Sequence, residues 1–236
     1  MSMFRFKQFN VDQTGCAMKV NTDGVLLGAL AINTLLNNIL DIGTGTGVIA
    51  LMLAQRFPYA QIDAVELDET AAQTALSNFE CSVYANRLRL YVQSFQAYFE
   101  KHADKKYDLI VSNPPFYIQS LPSPGAEKAM AKHASDGFFE ELIAGSAGHL
   151  TKEGSLWLIL PLSTATLVKQ IAAANKLFIH QIISIQSYPH TAPHREVLAL
   201  GYHQTEITQQ RLIIYNEPKV YSSSYREVLK DFLTIF

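Results

Sequence analysis

The stretch Asn113-Pro114-Pro115-Phe116 follows a run of β-branched residues and could hold a planar amine. Two consecutive prolines continue neither a helix nor a sheet ladder, so the apolar run must end here. The Asn113 side-chain oxygen and the Pro114 carbonyl can accept the two N–H groups of an NH2, and Phe116 offers a face for a flat ring. A plain turn is the simpler alternative, because Asn before Pro commonly opens turns.

A second stretch, Asp41-Ile42-Gly43-Thr44-Gly45-Thr46-Gly47, lies between an apolar run and a helical pattern. Glycines at alternate positions permit a sharp turn and leave space for a ligand beside a helix N-terminus. The GxGxG spacing differs from the GxGxxG of dinucleotide-binding folds and disfavours a nicotinamide dehydrogenase. It suits a nucleoside that carries a sulfonium amino acid, since that ligand has no pyrophosphate, and Asp41 supplies a nearby carboxylate.

Glu66 ends the next predicted strand, 66 − 47 = 19 positions after the last glycine. Doubly wound sheets deliver an acidic side chain at this place to the hydroxyls of a ribose. Ligands bind beyond the carboxyl ends of parallel strands, so Gly43, Glu66, Ser94 and Asn113 are expected on one rim of the sheet. The neighbours Asp63 and Asp68 are expected to be a polar strand residue and a helix N-cap.

The elements that position these residues alternate from residue 39 onward, which predicts an α/β fold with a mostly parallel sheet. Strands are expected at 39–43, 61–67, 88–94, 107–113, 155–161, 178–186 and 195–203, followed by a short strand over RLIIYN. Helices are expected at about 47–57, 69–80, 95–102, 137–150 and 163–175. Before them we expect a hairpin over FRFKQFNVDQ and a short helix over TDGVLLGALA that packs against the sheet edge.

The bulk composition excludes several classes of protein. Hydrophobic residues make up 48% and charged residues 17% of 236, as in globular proteins. No apolar run reaches transmembrane length and the N-terminus lacks a signal-peptide core, so a cytoplasmic location is expected. A net charge of −2 argues against non-specific coating of nucleic acid. Cys16 and Cys81 are expected to be small buried or semi-buried residues, and no histidine or cysteine spacing indicates a metal site.

The pairing of DIGTGTG with SNPPF resembles class I S-adenosylmethionine-dependent methyltransferases that act on amino groups. The stretch MKVNTDGVLLGAL before that core resembles the bacterial tRNA1(Val) (adenine(37)-N6)-methyltransferase family, over about residues 7–203. The resemblance implies a Rossmann-like, seven-stranded sheet whose last strand is antiparallel, S-adenosyl-L-methionine as cofactor, and tRNA as substrate, with no membrane and no obligate protein partner. One methyltransferase domain over 1–236 is expected, with extensions at 1–38 and 204–236.

The resemblance also implies roles for individual residues. Catalysis is expected of Asn113, Pro114 and Phe116. Cofactor contacts are expected of Lys19, Thr22, Asp41, Gly43, Gly45, Glu66 and Asn113, although Lys19, Thr22 and Asp23 could equally be a surface lysine and a helix N-cap. Relatives usually place an acidic residue after the third strand, where this chain has Gln93-Ser94-Phe95. Ser94 is expected to accept a hydrogen bond from the adenine amine there, and Phe95 to flank the ring.

RNA contacts are expected mainly in the long stretch after the NPPF motif. Phe116 and Tyr117 would meet the base, while Lys128, Lys132 and His133 recur at helical spacing and suit phosphate. A solvated loop is the alternative. Further positions that could extend the surface are Arg5, Lys7, His190, His194 and Arg195.

The function implied is methylation of the N6 of an adenine in tRNA, adenine 37 of tRNA1(Val). A protein glutamine N5-methyltransferase is an alternative, because its acceptor is also a planar amide. Such enzymes carry an additional N-terminal helical domain, whereas about 38 residues precede the first core strand here. DNA adenine and rRNA guanine N2 methylation fit the same chemistry. An inactive cofactor-binding scaffold would require a broken acceptor motif, and Asn113 to Phe116 are all present.

Overall fold

A sheet of eight strands forms the centre of the computed structural model, which describes residues 3–33, 36–115 and 137–236. Its strands are β3 (Asn38–Ile42), β4 (Gln61–Glu66), β5 (Leu88–Val92), β6 (Tyr107–Ser112), β7 (Leu150–Pro161), β8 (Phe178–Gln186), β9 (Arg195–Gly201) and β10 (Thr208–Ile213). Their spatial order is β10-β8-β9-β7-β6-β3-β4-β5. Strand β9 is antiparallel to both neighbours, and every other pair is parallel.

Helices cover both faces of this sheet. They are α1 (Thr22–Leu30), α2 (Val48–Arg56), α3 (Glu69–Glu80), α4 (Phe95–Lys101), α5 (Phe138–His149), α6 (Leu162–Ala174) and α7 (Ser223–Leu229). Buried residues of α1, α2, α3 and α7 share one hydrophobic core with one face of the sheet. Buried residues of α4, α5 and α6 share the other core with the opposite face. Both faces of the sheet are therefore buried, which explains the near-continuous apolar runs of its strands.

The seven expected strands and the antiparallel last strand of the family pattern are confirmed. The sheet is extended by β10, which pairs parallel with β8 from Thr208 opposite Gln181 to Ile213 opposite Gln186. The short strand expected over RLIIYN therefore begins earlier and belongs to the central sheet. Strand β7 also begins earlier than predicted, at Leu150 instead of residue 155.

Helix α1 packs differently from the prediction. It lies against α2, α7 and the central strand β7, not against a sheet edge. Residues Gly24 to Ala29 are all buried, because TDGVLLGAL is apolar on every face and an edge position would expose part of it. Gly28 permits the close approach of α2, since a Cβ there would lie 2.9 Å from Met52 Sδ.

Two small hairpins flank the sheet. The predicted N-terminal hairpin is present as β1 (Met3–Arg5) and β2 (Asn10–Asp12). It meets the C-terminal region, where Phe6 forms a bridge with Leu233 and the Lys7 amide donates to the Phe232 carbonyl at 2.8 Å. A second hairpin, β11 (Tyr215–Glu217) and β12 (Val220–Tyr221), was not predicted.

Three further observations bear on the class of protein. Cys16 and Cys81 are free thiols; Cys16 is buried as expected, but Cys81 is exposed, so that prediction was wrong. No helix in the described part of the chain has the length and apolarity needed to cross a membrane. Among residues 3–33, 36–115 and 137–236, no group of three His, Cys, Asp or Glu residues could hold a metal ion.

Candidate active site

The glycine loop connects β3 with α2, and its first two glycines border open space. Gly43 and Gly45 have φ of +70° and +57°, which L side chains rarely adopt, and a Cβ on either would meet no atom within 4 Å. Gly47 differs, because a Cβ there would lie 2.4 Å from Phe79 Cε1 in α3. The third glycine is therefore required for packing, and the first two leave a cradle free for a ligand.

Glu66 lies at the end of β4 and holds the glycine loop. Its Oε2 accepts from the Gly45 amide at 2.8 Å and its Oε1 from the Asp68 amide at 2.9 Å. Each carboxylate oxygen has further acceptor capacity, and the side chain is only partly buried. Glu66 can therefore accept further hydrogen bonds from a ligand bound next to Gly43 and Gly45. Asp68 caps α3 through the Ala71 amide at 2.8 Å, as predicted.

Asp41 lies on β3 directly beneath the loop and is fully buried, with 0% of its surface exposed. Its Oδ2 accepts from Thr44 Oγ1 at 2.6 Å, while Oδ1 makes no hydrogen bond of standard geometry. Burial raises the pKa of Asp41 to about 7, although Thr44 and the amide of Ala50 in the first turn of α2 favour its charged form. Asp41 thus combines a partly unsatisfied carboxylate with a pKa near neutrality, which is frequent at functional sites.

Asn113 follows β6 and lies at the same rim. Its Oδ1 is buried and has no hydrogen-bond partner among residues 3–33, 36–115 and 137–236. Ser112 Oγ donates to the Ile42 carbonyl at 2.8 Å, which joins the end of β6 to the start of the glycine loop. Pro114 is buried and Pro115 is exposed. A buried amide oxygen without a donor is costly unless a bound group supplies one, so Asn113 is prepared to accept a hydrogen bond.

The N-terminus of α1 packs next to Asn113. A Cβ on Gly24 would lie 3.7 Å from Asn113 Nδ2. The cap of this helix is Asn21, whose side chain accepts from the Gly24 amide at 2.9 Å. Thr22 is therefore the first helical residue and not the cap. Asp23 accepts from Arg195 Nε at 2.9 Å, so the start of β9 is fastened to this helix end.

Several predicted contacts remain predictions. Lys19 and Thr22 are exposed near the start of α1. Ser94 caps α4 by accepting from the Ala97 amide at 3.1 Å, which is a structural role. Phe95 is buried and packs edge-on against Phe138 with ring centres 5.4 Å apart. Next to them, the buried Gln93 Nε2 has no partner, so Gln93 is an additional candidate for contact with a bound group.

Other predicted contacts lie away from the rim or outside the described residues. Lys7 lines a cleft of about 550 Å³ with Gln55, Arg56 and Lys230, beside the C-terminus of α2. Because α2 runs back from the rim, this cleft is at the opposite end of the sheet, and Lys7 does not extend the pocket surface. Predictions for Phe116, Tyr117, Lys128, Lys132 and His133 fall outside the described residues.

Asn78 is a supporting residue that the sequence analysis missed. This buried side chain of α3 donates to the Thr46 carbonyl at 2.9 Å and to the Asp12 carbonyl at 3.0 Å. It also accepts from the Asp12 amide at 2.8 Å. One amide thereby joins the N-terminal hairpin to the glycine loop. The available signal was an Asn on the buried side of the helix ETAAQTALSNFE.

Comparisons with known proteins identify the family. The family described as methyltransferase small domain matches residues 21–172. Over 233 residues the chain is 45% identical to a protein of Pedobacter heparinus named tRNA1(Val) (adenine(37)-N6)-methyltransferase, covering 99% of this chain and 98% of that one. The chain belongs to the tRNA1(Val) (adenine(37)-N6)-methyltransferase family. A member from Christiangramia forsetii with the same name is 38% identical, covering 97% and 96% of the two chains.

Solved structures support the fold of this methyltransferase family. A predicted O-methyltransferase from Agrobacterium tumefaciens superposes with a TM-score of 0.70 at 17% identity, covering 89% of this chain and 96% of that one. A methyltransferase from Pyrococcus furiosus gives a TM-score of 0.56 at 20% identity, covering 81% and 91%. The predicted class I methyltransferase fold and the predicted membership of a methyltransferase family are confirmed.

Proposed function

We propose that this methyltransferase uses S-adenosyl-L-methionine to methylate the N6 of adenine 37 in tRNA1(Val). The name shared by the relatives from Pedobacter heparinus and Christiangramia forsetii supports this substrate. The observation that carries the chemistry is the buried, unpaired Oδ1 of Asn113 at the rim beside the glycine loop. Such an oxygen can accept from a planar NH2, as the exocyclic amine of adenine requires.

The residues at the rim fit this cofactor. Gly43 and Gly45 leave the backbone open to a ligand, and Glu66 has acceptor capacity for ribose hydroxyls. Asp41 provides a carboxylate oxygen without a full partner, which suits the cationic amino-acid part. When bound, S-adenosyl-L-methionine supplies a methyl group activated by a sulfonium. These residues bind and orient it, and none of them needs to act as a strong acid or base.

Asn113 and Pro114 act on the acceptor. The N6 amine of adenine is conjugated with the ring, so its lone pair is poorly available. Acceptance of its N–H groups by Asn113 Oδ1 and the Pro114 carbonyl holds the amine close to the methyl group and stabilises the positive charge that develops on nitrogen. The prolines limit backbone motion at these two oxygens, so that they are aligned before the base arrives.

The direct test is incubation with labelled S-adenosyl-L-methionine and unmodified bacterial tRNA, followed by nucleoside analysis. The expected product is N6-methyladenosine at position 37 of tRNA1(Val). In parallel incubations with bacterial protein and with rRNA, label in N5-methylglutamine or in N2-methylguanosine would replace this substrate by one of the alternatives. Absence of label from all three substrates would contradict the proposal. A cytoplasmic location and the single-domain division stay predictions.

Cofactor binding is tested separately by calorimetric titration of Glu66→Ala. Loss of a hydrogen bond to a charged acceptor costs about 1.5–3 kcal/mol, so the affinity is expected to fall roughly ten- to a hundredfold. Glu80→Ala is the matched control, since Glu80 is exposed at the end of α3. Wild-type affinity in Glu66→Ala would remove Glu66 from the proposed cofactor site.

A further inference from the structure

A continuous column of stacked aromatic rings lies beyond the active-site residues described above. Tyr225 stacks on Tyr221 with ring centres 5.2 Å apart, and Tyr221 stacks on Tyr215 at 4.9 Å. Tyr188 follows at 5.6 Å from Tyr215, and His190 stacks on Tyr188 at 5.6 Å with an interplanar angle of 15°. The column thus joins α7, the β11–β12 hairpin and the loop between β8 and β9.

The outer end of the column lies on the same rim of the sheet as Asn113. Tyr188 and His190 follow the carboxyl end of β8, which runs parallel to the other central strands. Across the sheet, β8 is three strand spacings from β6, or about 14 Å. The loop ends at Arg195, which pairs with Asp23 at the start of α1, and this helix end packs against Asn113. A continuous surface therefore connects the acceptor site with the ring column.

The loop that carries the outer rings is held by its own hydrogen bonds. Gln186 is buried, and its Nε2 donates to the Tyr188 carbonyl at 2.8 Å and to the Pro189 carbonyl at 3.2 Å. Thr191 Oγ1 accepts from the Tyr188 amide at 3.0 Å. The Tyr215 amide donates to the Ser187 carbonyl at 2.9 Å. The backbone that carries Tyr188 is therefore held on both sides, and a partner that stacks there does not need to order the loop.

The two ends of the column differ in exposure. Tyr225 is buried, and Phe236 packs edge-on against it and against Tyr221, so the inner end anchors the C-terminal region. Tyr188 is partly buried and His190 is exposed. Among the described rings, His190 stacks on Tyr188 alone. An anchor for the C-terminal region does not require an exposed ring at the rim, whereas a surface that binds a further ring does.

We infer that the outer end of this column, Tyr188 and His190, is a stacking surface for the unpaired nucleotides that flank the target adenine. This inference rests on the proposed function. RNA loops are commonly bound by stacking of bases on Tyr and His rings, which needs no base-specific hydrogen bonds. The adjoining hairpin exposes both Lys219 and Glu217, so its charge is mixed and stacking dominates this contact. Phosphate contacts would have to come from other parts of the surface.

The test uses the full chain and an RNA hairpin with the anticodon stem-loop sequence of tRNA1(Val), with 2-aminopurine next to adenine 37. His190→Ala is expected to weaken binding of this hairpin roughly tenfold, by loss of a stacking partner, and to reduce the quenching of 2-aminopurine. His190→Phe keeps a ring and is expected to retain both signals. The salt dependence of binding should be the same in all variants, because no phosphate contact is removed.

Tyr59→Ala is the matched control, since Tyr59 is 88% exposed in the turn before β4, at the other end of the sheet. It should bind the hairpin and S-adenosyl-L-methionine like wild type. If His190→Ala binds the hairpin like wild type while Tyr188→Ala loses only thermal stability, the column is purely structural and the inference is wrong. If the wild-type protein neither binds nor methylates the hairpin or the full tRNA, the proposed function itself fails, and the inference with it.

Discussion

Two carboxylates on adjacent strands, Asp41 and Asp63, have opposite environments. In the β3–β4 register Asp41 lies beside Ala64, and Asp63 lies beside Leu40. The two acidic residues are therefore one position out of register, and their side chains point to opposite sides of the sheet. Asp63 Oδ2 accepts from Lys105 Nζ at 2.6 Å, from the Tyr107 hydroxyl at 2.7 Å and from the Tyr98 hydroxyl at 3.0 Å. Asp41 has only Thr44 at comparable distance.

The polar groups around Asp63 and those around Asp41 also differ in whether they have hydrogen-bond partners. Although burial opposes the charged form of Lys105, its hydrogen bonds to Asp63 and Tyr91 raise its pKa further above neutrality, which keeps the lysine charged. Within the described part of the chain, the rim contains two more buried polar atoms without partners, Asn113 Oδ1 and Gln93 Nε2. Asp63 thus has three donors from within the protein, whereas Asn113 Oδ1 and Gln93 Nε2 at the described part of the rim have none and can accept or donate to a ligand.

The largest effect is expected at the rim. Asn113→Ala should retain cofactor affinity and thermal stability but lose turnover, because its oxygen has no partner in the folded protein and acts when charge develops on the amine. Removal of one preorganised group of this kind costs about 2.7–4 kcal/mol, a factor of about a hundred to a thousand in kcat. Single-turnover methylation of tRNA measures this loss.

Asn78→Ala is the contrasting amide variant, since Asn78 makes three hydrogen bonds within the protein. This variant should have a lower free energy of unfolding, whereas its turnover at a temperature well below unfolding should stay close to that of wild type. Near wild-type turnover in Asn113→Ala would mean that the NPPF motif only ends the strand. Asn113 at the rim and Asn78 in the interior would then both be structural residues.

A smaller effect, on stability only, is expected for Asp63→Ala. The change leaves Lys105 without its anion and two buried hydroxyls without their acceptor, which should lower the free energy of unfolding by about 2–3 kcal/mol in urea titrations. The lysine side chain is 34% exposed, so water compensates part of the loss.

Tyr107→Phe removes a single donor from the same cluster and should cost about 1 kcal/mol. Turnover at a temperature well below unfolding should equal that of wild type in both variants. A stable Asp63→Ala variant with reduced turnover would place the Asp63 cluster in the catalytic machinery.

A further effect concerns the pH dependence of stability caused by Asp41. Burial raises its pKa in the folded protein to about 7, above the ordinary value of 3.8 that applies to the unfolded chain. The unfolded state then binds fewer protons than the folded state between these values, so stability falls as pH rises through this window. Relative to Asp41→Asn, wild type should lose at most about 1.4 kcal/mol per pH unit between pH 5 and 6.

Urea unfolding of both proteins at these two pH values measures the difference, and other titrating groups cancel in it. Parallel pH profiles for wild type and Asp41→Asn would mean that Asp41 is ionised throughout and that its environment is more polar than its burial indicates.

Much of the fold was predictable because its strands are buried on both faces and read as short β-branched runs. Strand β8 and helix α3 were predicted with the bounds that the structure shows. Strand β10 was underestimated, since four of its six residues are exposed and polar or weakly apolar at the sheet edge. The β11–β12 hairpin was missed because its strands of three and two residues are too short to show an alternating pattern.

Site residues could be predicted only where their position follows from the order of strands and loops along the chain. The glycine loop, Glu66 and Asn113 were placed on one rim because each directly follows a parallel strand. The partners of Asp63 could not be predicted, since Lys105 is 42 positions away and reaches it through the packing of α4. Asn78 was missed for the same reason, because its partners come from the N-terminal hairpin and the glycine loop.

The bridge between Phe6 and Leu233 has a consequence for biosynthesis. The hairpin that contains Phe6 is synthesised before the central strands, but its pairing partner Leu233 follows more than 200 residues later. Until then the rings of Phe6 and Phe9, stacked at 4.5 Å in the finished protein, lack their cover from the C-terminal region. Contacts of such long sequence separation form late and slowly. Docking of the N-terminal hairpin on the C-terminal region is therefore one of the last steps of folding.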